Sequence, residues 1–298
     1  MHRLRVLRPL HGVLAFFDGR IEGYRFDERP NWVDDGALSL GIASYAVVRG
    51  TEAVVYDTHV SVEHARHIRG VLESEGVRKL TVVLSHWHLD HVAGTAAFGD
   101  CEIIASERTA TLLARAKRAI ERGEHEGPPP IDPLVLPTSV FTDCMRLSVG
   151  GEPLDLIHTN IHSDDATLVW LPERRLLLCG DAMEDTVTYV DEPENFDAHL
   201  RNLERLWQLA PDRILPNHGD PQVIAAGGYS RELIRATEQY IRALQRCRAD
   251  ARLRELNLRE LIAEPLDASV LHYFAPYEEV HRRNLETVVA AGSSRGQD

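Results

Sequence analysis

The sequence predicts an α/β fold with a polar cluster placed where a buried strand ends. The first observation is an uncharged apolar run, residues 80–84, which is typical of a strand buried on both faces. The second is the segment after it, which holds three histidines and an aspartate within six residues, His86 to His91. The third is the amphipathic helical pattern that precedes the run, over residues 62–75. Because sites of open α/β sheets lie at the carboxyl ends of strands, this cluster predicts a functional site.

The first half of the chain alternates strand and helix patterns. Apolar runs predict strands over residues 13–17, 39–49, 53–56 and 101–105. A second helix is predicted over residues 106–122, with Ser106 in the N-cap position because its hydroxyl can accept from free backbone N–H groups. Residues 123–137 contain five prolines and are interpreted as a loop that covers the site as a lid.

The second half is rich in strands and then becomes helical. Strands are predicted over residues 145–149, 154–158, 166–171, 175–179 and 213–216. Helices are predicted over residues 195–209, 229–248, 256–263 and 276–291. We therefore expect two parts, a mixed α/β domain over residues 1–227 and a helical extension over residues 228–298 that packs on it.

The histidine-rich cluster has the chemistry of a metal site. His86 and His88 are two residues apart, so in extended backbone their side chains point the same way. Imidazoles and carboxylates can converge on one or two cations. A solvated loop that happens to be rich in histidine is the alternative, but suitable ligands also follow three later strands: His162, Asp181 and His218. A metal site is therefore the favoured interpretation.

These motifs resemble those of the metallo-β-lactamase-fold superfamily of metallohydrolases. The segment from His86 to His91 is similar to the superfamily's H-x-H-x-D-H signature, and His162, Asp181 and His218 follow in the superfamily's order. The resemblance covers roughly residues 40–225 and implies an αββα sandwich, so the fold expected is this sandwich with a helical C-terminal extension. Within the superfamily the chain resembles glyoxalase II and lactonases rather than true β-lactamases. True β-lactamases of this fold generally carry Cys or Ser where Asp181 stands.

The resemblance also implies the cofactor and the ligand set. Two divalent ions are expected, with zinc as first choice and iron or manganese also compatible. One ion would be held by His86, His88 and His162 and the other by Asp90, His91 and His218, with Asp181 bridging them. The implied nucleophile is a metal-bridging hydroxide, and Asp90 would take up a proton as the leaving group departs. Asp90 and Asp181 are therefore the residues expected to take part in catalysis.

Further residues are expected around this centre. Asp57 looks like the superfamily's early aspartate, which would orient the ligand loop. His59 and His158 would each support the ligands from behind or serve a purely structural role. Trp32 would contact substrate or simply pack its loop on the sheet, and Tyr189 could donate to a substrate oxygen. Two acidic residues after Asp181 are interpreted as a solvated turn: Glu184 and Asp185.

Composition limits the partners. The 298 residues include 33 Lys plus Arg and 46 Asp plus Glu, a net charge of −13, which disfavours nucleic acid and favours a small-molecule substrate. No run approaches the roughly 18 apolar residues of a membrane span. The first ten residues lack the apolar core of a signal peptide, and the four cysteines lack paired spacing. A cytoplasmic protein is therefore expected, and a homodimer is compatible with the sequence.

The leading functional prediction is a dinuclear metal-dependent hydrolase of a small ester, thioester or lactone. The alternative, from a different reaction class, is a mononuclear iron oxidoreductase that resembles the persulfide dioxygenases of the same fold. That enzyme would need only His86, His162 and Asp181 as iron ligands.

Overall fold

Two β-sheets packed face to face form the centre of the molecule, which confirms the predicted α/β fold. The computed structural model describes the backbone of residues 3–294 and the side chains of residues 3–291. Within that range, one sheet has its strands in chain order: β1 (Arg5–Leu10), β2 (Val13–Asp18), β3 (Ile42–Arg49), β4 (Glu52–Tyr56), β5 (Lys79–Val83), β6 (Glu102–Ser106) and β7 (Ser139–Phe141). The other runs in the order β12-β11-β10-β9-β8: β8 (Cys144–Val149), β9 (Glu152–His158), β10 (Thr167–Leu171), β11 (Leu176–Gly180) and β12 (Arg213–Pro216).

Helices cover the outer faces of the sandwich. The α-helices are α1 (Val62–Ser74), α2 (Leu89–Val92), α3 (Glu107–Glu121), α4 (Phe196–Leu209), α5 (Pro221–Ala225), α6 (Glu232–Cys247), α7 (Leu258–Leu261), α8 (Ala263–Asp267) and α9 (Tyr277–Ser294). Short 3₁₀ turns occur at Thr95–Phe98, Pro193–Asn195 and Leu253–Glu255. The predicted cap of α3 is confirmed, since Ser106 Oγ accepts from the backbone N–H of Thr109 at 3.0 Å.

The alternation of side chains along each strand produces two buried layers. Phe17 points between the sheets and packs in the cluster that contains Leu156 of β9. Its neighbour Phe16 points the other way and packs in the cluster that contains Ile68 of α1 and Leu113 of α3. Each sheet therefore has an inner face against its partner and an outer face against helices, which is the αββα arrangement.

The helices after residue 227 share the core of the second sheet. Leu233 and Ile241 of α6 belong to the same buried cluster as Leu203 of α4 and Leu177 of β11. The division of the chain at residues 227 and 228 remains a prediction. The helix predicted over residues 256–263 is shorter than expected: α7 ends at Leu261 because Ile262 (φ −111°, ψ 26°) leaves helical geometry, and α8 begins at Ala263.

Several elements have no counterpart in the sequence prediction, among them β1, β7, α5 and a π-helical stretch. Strand β1 was not predicted because Arg8 and Pro9 interrupt its apolar pattern; as an edge strand it tolerates the missing N–H of proline. The aromatic loop after β2 contains a single π-helical stretch, Val33–Leu38. Among residues 3–294, no helix combines the length and the apolar character needed to cross a membrane.

Candidate metal centre

The predicted ligands meet at one edge of the sandwich. His86 and His88 lie in the loop after β5, and α2 begins immediately afterwards and carries Asp90 and His91. The other three residues follow β9, β11 and β12 of the second sheet: His162, Asp181 and His218. The structure therefore brings together, from both sheets, the seven residues that the resemblance implied.

The donor atoms form two groups joined by one carboxylate. His86, His88 and His162, called here the histidine group, have donor atoms within 4.8 Å of one another. Asp90, His91 and His218, called here the mixed group, satisfy the same condition. Asp181 Oδ2 lies between the groups, 3.0 Å from His91 Nε2, 3.5 Å from His218 Nε2, 3.7 Å from His86 Nε2 and 4.0 Å from His162 Nε2.

The residues fit divalent cations. His86 Nε2 and Asp181 Oδ1 are buried without a hydrogen-bond partner among the described residues. A buried polar atom that lacks a partner costs roughly 1–3 kcal/mol, so these two atoms are suited to bind a cation. Imidazole nitrogens and carboxylate oxygens suit zinc, iron and manganese.

In three of these imidazoles, the ring nitrogen that points away from the centre has a hydrogen-bond partner in the protein. His86 Nδ1 lies 2.9 Å from Ser85 Oγ, His218 Nδ1 lies 2.8 Å from the Gly41 carbonyl oxygen, and His162 Nδ1 lies 3.1 Å from the Tyr189 carbonyl oxygen. A hydrogen bond to one ring nitrogen fixes the orientation of the ring and leaves the other nitrogen free to bind a metal. The chain therefore aims these nitrogens at the centre.

Asp57 organises the ligand loop from behind, in the position that the resemblance implied. Its Oδ1 accepts from the backbone N–H of Ser85 at 2.6 Å, and its Oδ2 lies 2.9 Å from His91 Nδ1. Asn217, which the sequence analysis did not single out, donates from Nδ2 to the same Oδ2 at 2.5 Å. Asp57 adopts φ +67°, and His162 adopts φ +70°. Such strain in non-glycine residues is typical of functional sites.

Close backbone packing also shapes the centre. Gly180, directly before Asp181, has φ +55°, and a Cβ there would lie 2.9 Å from Tyr56 Oη and 3.0 Å from Ser85 Cβ. A side chain at this position would therefore push the ligand loop away from Asp181.

Two further carboxylates support the loop, and the sequence analysis did not assign them to the centre. Asp165 is fully buried, and its Oδ2 accepts from the Trp87 backbone N–H at 3.0 Å and from Thr109 Oγ1 at 2.9 Å. Asp191 Oδ2 lies 3.4 Å from His88 Nε2. Both lie in loops without a regular motif, so only their place in the folded chain reveals them.

Three predicted residues do not contact the ligands. His59 is fully buried and stacks on His64 with ring centroids 4.7 Å apart, but neither of its ring nitrogens has a hydrogen-bond partner among the described residues. His158 Nε2 bonds to the Asp164 carbonyl oxygen at 2.8 Å. Trp32 donates from Nε1 to the Pro129 carbonyl oxygen at 3.0 Å, which ties its loop to the proline-rich loop. These contacts favour the structural alternative for each residue.

The prediction of a solvated turn at residues 184 and 185 is wrong. Glu184 is 2% exposed, and it accepts from the backbone N–H of Tyr189 and from Tyr277 Oη, each at 3.0 Å. Asp185 is fully buried and accepts from Tyr229 Oη at 2.8 Å. Acidic residues in a turn are normally solvated, but here α9 and the loop before it cover them.

The charges of the two groups differ in the metal-free protein. Burial lowers the pKa of His86 well below its usual value, and burial together with the charge of His88 lowers that of His162 to about 4. Burial also opposes protonation of His218, but Asp181 and Asp90 raise its pKa to about 9. His91 likewise has its pKa raised well above normal, by Asp181 and Asp90 against the effect of burial. The mixed group therefore holds protons that balance the carboxylates.

A cavity of about 620 Å³ lies against the centre. It is lined by members of both groups, by Asp181 and by Tyr189, which the sequence analysis had placed near the substrate. Pro276 and Val280 of the C-terminal extension line it as well, as does Glu126 of the proline-rich loop. The volume suits a small molecule.

Comparisons with known proteins agree with this geometry. The family model described as the metallo-beta-lactamase superfamily matches residues 39–218. The Beta-lactamase-like protein 2 homolog of Caenorhabditis elegans is 27% identical over 183 residues, which cover 60% of this chain and 56% of that protein. The Acyl-coenzyme A thioesterase MBLAC2 of Gallus gallus is 24% identical over 166 residues, covering 49% of this chain and 58% of that protein. The chain thus spans less than two thirds of these relatives.

Solved structures share the fold. A metallo-beta-lactamase from Pontibacter korlensis superposes with a TM-score of 0.56 at 18% identity, and the match covers 78% of this chain and 99% of that one. At this identity the likeness extends to the fold alone, which agrees with the αββα layers described above.

Proposed function

The chain belongs to the metallo-beta-lactamase superfamily, and from this premise we propose that it is a dinuclear metal-dependent hydrolase of a small ester, thioester or lactone. One observation carries the proposal: Asp181 Oδ2 lies within 4.0 Å of imidazole nitrogens from both donor groups, beside a cavity large enough for a small substrate. A carboxylate shared in this way suits two cations held side by side.

In this proposal the histidine group would hold one metal and the mixed group the other, with Asp181 available to both. Zinc is the first choice, and iron and manganese have the same ligand preferences. When bound, such ions would polarise a substrate carbonyl and lower the pKa of water, which supplies the nucleophile. The chain's own part is to orient the imidazoles, through Ser85, Asp57 and the backbone carbonyl groups behind them.

Asp90 is positioned to handle the proton that the leaving group requires. It lines the cavity, and its Oδ2 lies 3.2 Å from His218 Nε2. Glu184 lines the same wall, and burial together with the negative charge of Asp181 raises its pKa to about 7. A carboxyl group that is partly protonated at neutral pH suits general acid catalysis.

The complete mixed group favours hydrolysis over the iron oxidoreductase alternative. A mononuclear centre built from His86, His162 and Asp181 would leave Asp90 and His218 without a metal. The relative that is named as an acyl-coenzyme A thioesterase also supports a hydrolase. A small-molecule substrate, the cytoplasmic location and the proposed homodimer remain parts of the proposal.

Elemental mass spectrometry of the purified protein, followed by assays on a panel of esters, thioesters and lactones, tests the proposal. We expect close to two divalent ions per chain and hydrolysis of at least one class. His162→Ala should reduce both the metal content and the activity. His158→Ala is the matched control, because this nearby histidine bonds to a backbone carbonyl group outside the centre.

The outcomes separate the alternatives. One iron per chain, with oxygen consumption on a thiol-derived substrate, would replace the hydrolase by the oxidoreductase. No metal after reconstitution would contradict both.

A further inference from the structure

The cavity beside the metal centre is walled by carboxylates from separate parts of the chain. Apart from the metal-binding groups, its acidic lining residues are Asp34, Asp35, Glu126, Glu184, Asp191 and Glu279. Among its described lining residues, the single lysine or arginine is Arg283, whose Nε lies 2.9 Å from Glu279 Oε1. Arg283 shares this carboxylate with Arg282, whose Nε donates to Glu279 Oε2 at 2.9 Å.

Four of these carboxylates have no lysine or arginine partner. Within the described residues, no such nitrogen lies within 4.0 Å of the side chains of Asp35, Glu126, Glu184 or Asp191. The neighbour of Asp191 is His88 Nε2 at 3.4 Å, and that of Glu126 is His125 Nε2 at 3.7 Å. A concave wall in which carboxylates outnumber lysine and arginine side chains focuses a negative field and attracts positive charge.

An aromatic ring lies in the same wall. Tyr189 lines the cavity two residues before Asp191, and its ring centroid is 6.4 Å from that of His162. The face of an aromatic ring attracts ammonium and guanidinium groups, and nearby carboxylates add to that attraction. The wall therefore combines the two features that bind organic cations.

The cavity adjoins the metal centre. Asp181, which lines it, is 5% exposed and keeps Oδ1 without a hydrogen-bond partner among the described residues. In the proposed hydrolase, the metal end of the cavity takes the reacting carbonyl group. The acidic wall then faces the remaining part of the substrate.

We propose that the cavity selects ester or thioester substrates that carry an organic cation, an ammonium or guanidinium group, and rejects those with a polyanionic leaving group. The reaction in this inference rests on the proposed function. The selectivity rests only on the residues that line the cavity wall. Coenzyme A carries several phosphates, so the substrate of this chain would differ from that of the relative named as an acyl-coenzyme A thioesterase.

Binding to the metal-loaded protein tests the selectivity without any turnover. Isothermal titration calorimetry would compare choline with 3,3-dimethylbutan-1-ol, its uncharged isostere. We expect choline to bind about tenfold more tightly, and the difference to shrink with added salt. Asp191→Asn and Glu126→Gln each remove one charge at nearly constant shape and should each reduce the preference several-fold. Asp267→Asn, an exposed carboxylate on α8, is the control for net charge.

Kinetics on three acetyl thioesters gives the second readout: acetylthiocholine, its uncharged carbon isostere and acetyl-coenzyme A. We expect kcat/KM to fall in that order, with most of the difference in KM. Equal binding of choline and its isostere, or a preference for acetyl-coenzyme A, would overturn the inference and leave the hydrolase intact. Failure to hydrolyse any thioester would count against the proposed reaction, while the choline titration would still decide the selectivity.

Discussion

The histidine group and the mixed group lie on either side of Asp181, yet the protein supports them differently. His86 and His162 of the histidine group are backed by a hydroxyl and a backbone carbonyl group, from Ser85 and Tyr189. His91 of the mixed group is backed by the Asp57 carboxylate. Burial leaves His86 and His162 neutral, whereas carboxylates keep His91 and His218 protonated in the metal-free protein.

Two adjacent metal sites made from similar residues can therefore differ in how many protons their ligands must lose before a metal binds. A metal ligand must give up its proton, so a protonated imidazole makes metal binding dependent on pH. The histidine group contains one such imidazole, His88, because Asp191 raises its pKa to about 9 although burial opposes this. The mixed group contains two. We therefore expect the mixed group to be the weaker and more pH-sensitive site.

The largest effect is expected from removing the Asp181 carboxylate, which lies between the two groups. Asp181→Ala should reduce the content of both metals and lower hydrolytic kcat/KM far more than the roughly 10–100-fold typical of a residue behind a ligand. Elemental mass spectrometry and circular dichroism, on the same sample, would measure metal loss against retained fold. Full retention of both metals would contradict the shared role of Asp181.

Asp90→Ala should separate the two groups. We expect the loss of one of two metals, and hydrolysis reduced by more than about 100-fold, because this carboxylate belongs to the mixed group alone. His88→Ala is the matched change in the histidine group. Turnover that survives Asp90→Ala would argue for a mononuclear mechanism.

The pH dependence of metal binding gives a direct comparison of the groups. The affinity should rise with pH up to about 9, the pKa of His218, because protons compete with the metal for the raised-pKa imidazoles. The metal affinity should rise roughly tenfold per pH unit for each proton displaced, and it should rise more steeply for the second metal than for the first. Competition titrations at several pH values would measure it. Equal slopes for the two metals would contradict the expected difference in pH sensitivity between the two groups.

Substituting a residue that supports a ligand should weaken metal binding mainly in the group to which that ligand belongs. Asp57→Asn should lower the affinity of the mixed group by about 10–100-fold, because the change removes the charge that holds His91. Metal competition assays would measure this loss, and the first metal should bind nearly normally. Weakening of both sites to the same extent would show that Asp57 acts on the whole loop.

The smallest effect is expected for Ser85→Ala. Its hydroxyl bonds to His86 Nδ1, and a neutral hydrogen bond contributes roughly 0.5–1.5 kcal/mol. The first metal should therefore bind only a few-fold more weakly, as competition titration would reveal. A loss as large as that of Asp57→Asn would mean that neutral and charged supports are equivalent here.

Most of the architecture could be predicted from local patterns. The apolar run before the ligand loop became β5, and the Ser106 hydroxyl caps α3 as its type predicts. Strand β1 was missed because an edge strand tolerates Arg8 and Pro9, which interrupt the periodic signal. The bounds of most predicted elements agree because buried strands and amphipathic helices leave clear periodicities.

The sequence by itself places histidines and aspartates in short motifs at strand ends, and the resemblance of these motifs to the superfamily implied the seven ligands and their order. Only the tertiary structure decided which other residues join them. Glu126, Glu184 and Asp191 come from loops without a motif, and folding brings them to one cavity wall. Trp32 donates to the Pro129 carbonyl oxygen and His59 stacks on His64, contacts that the sequence does not show. These roles depend on burial and on contacts between residues that are distant in the chain.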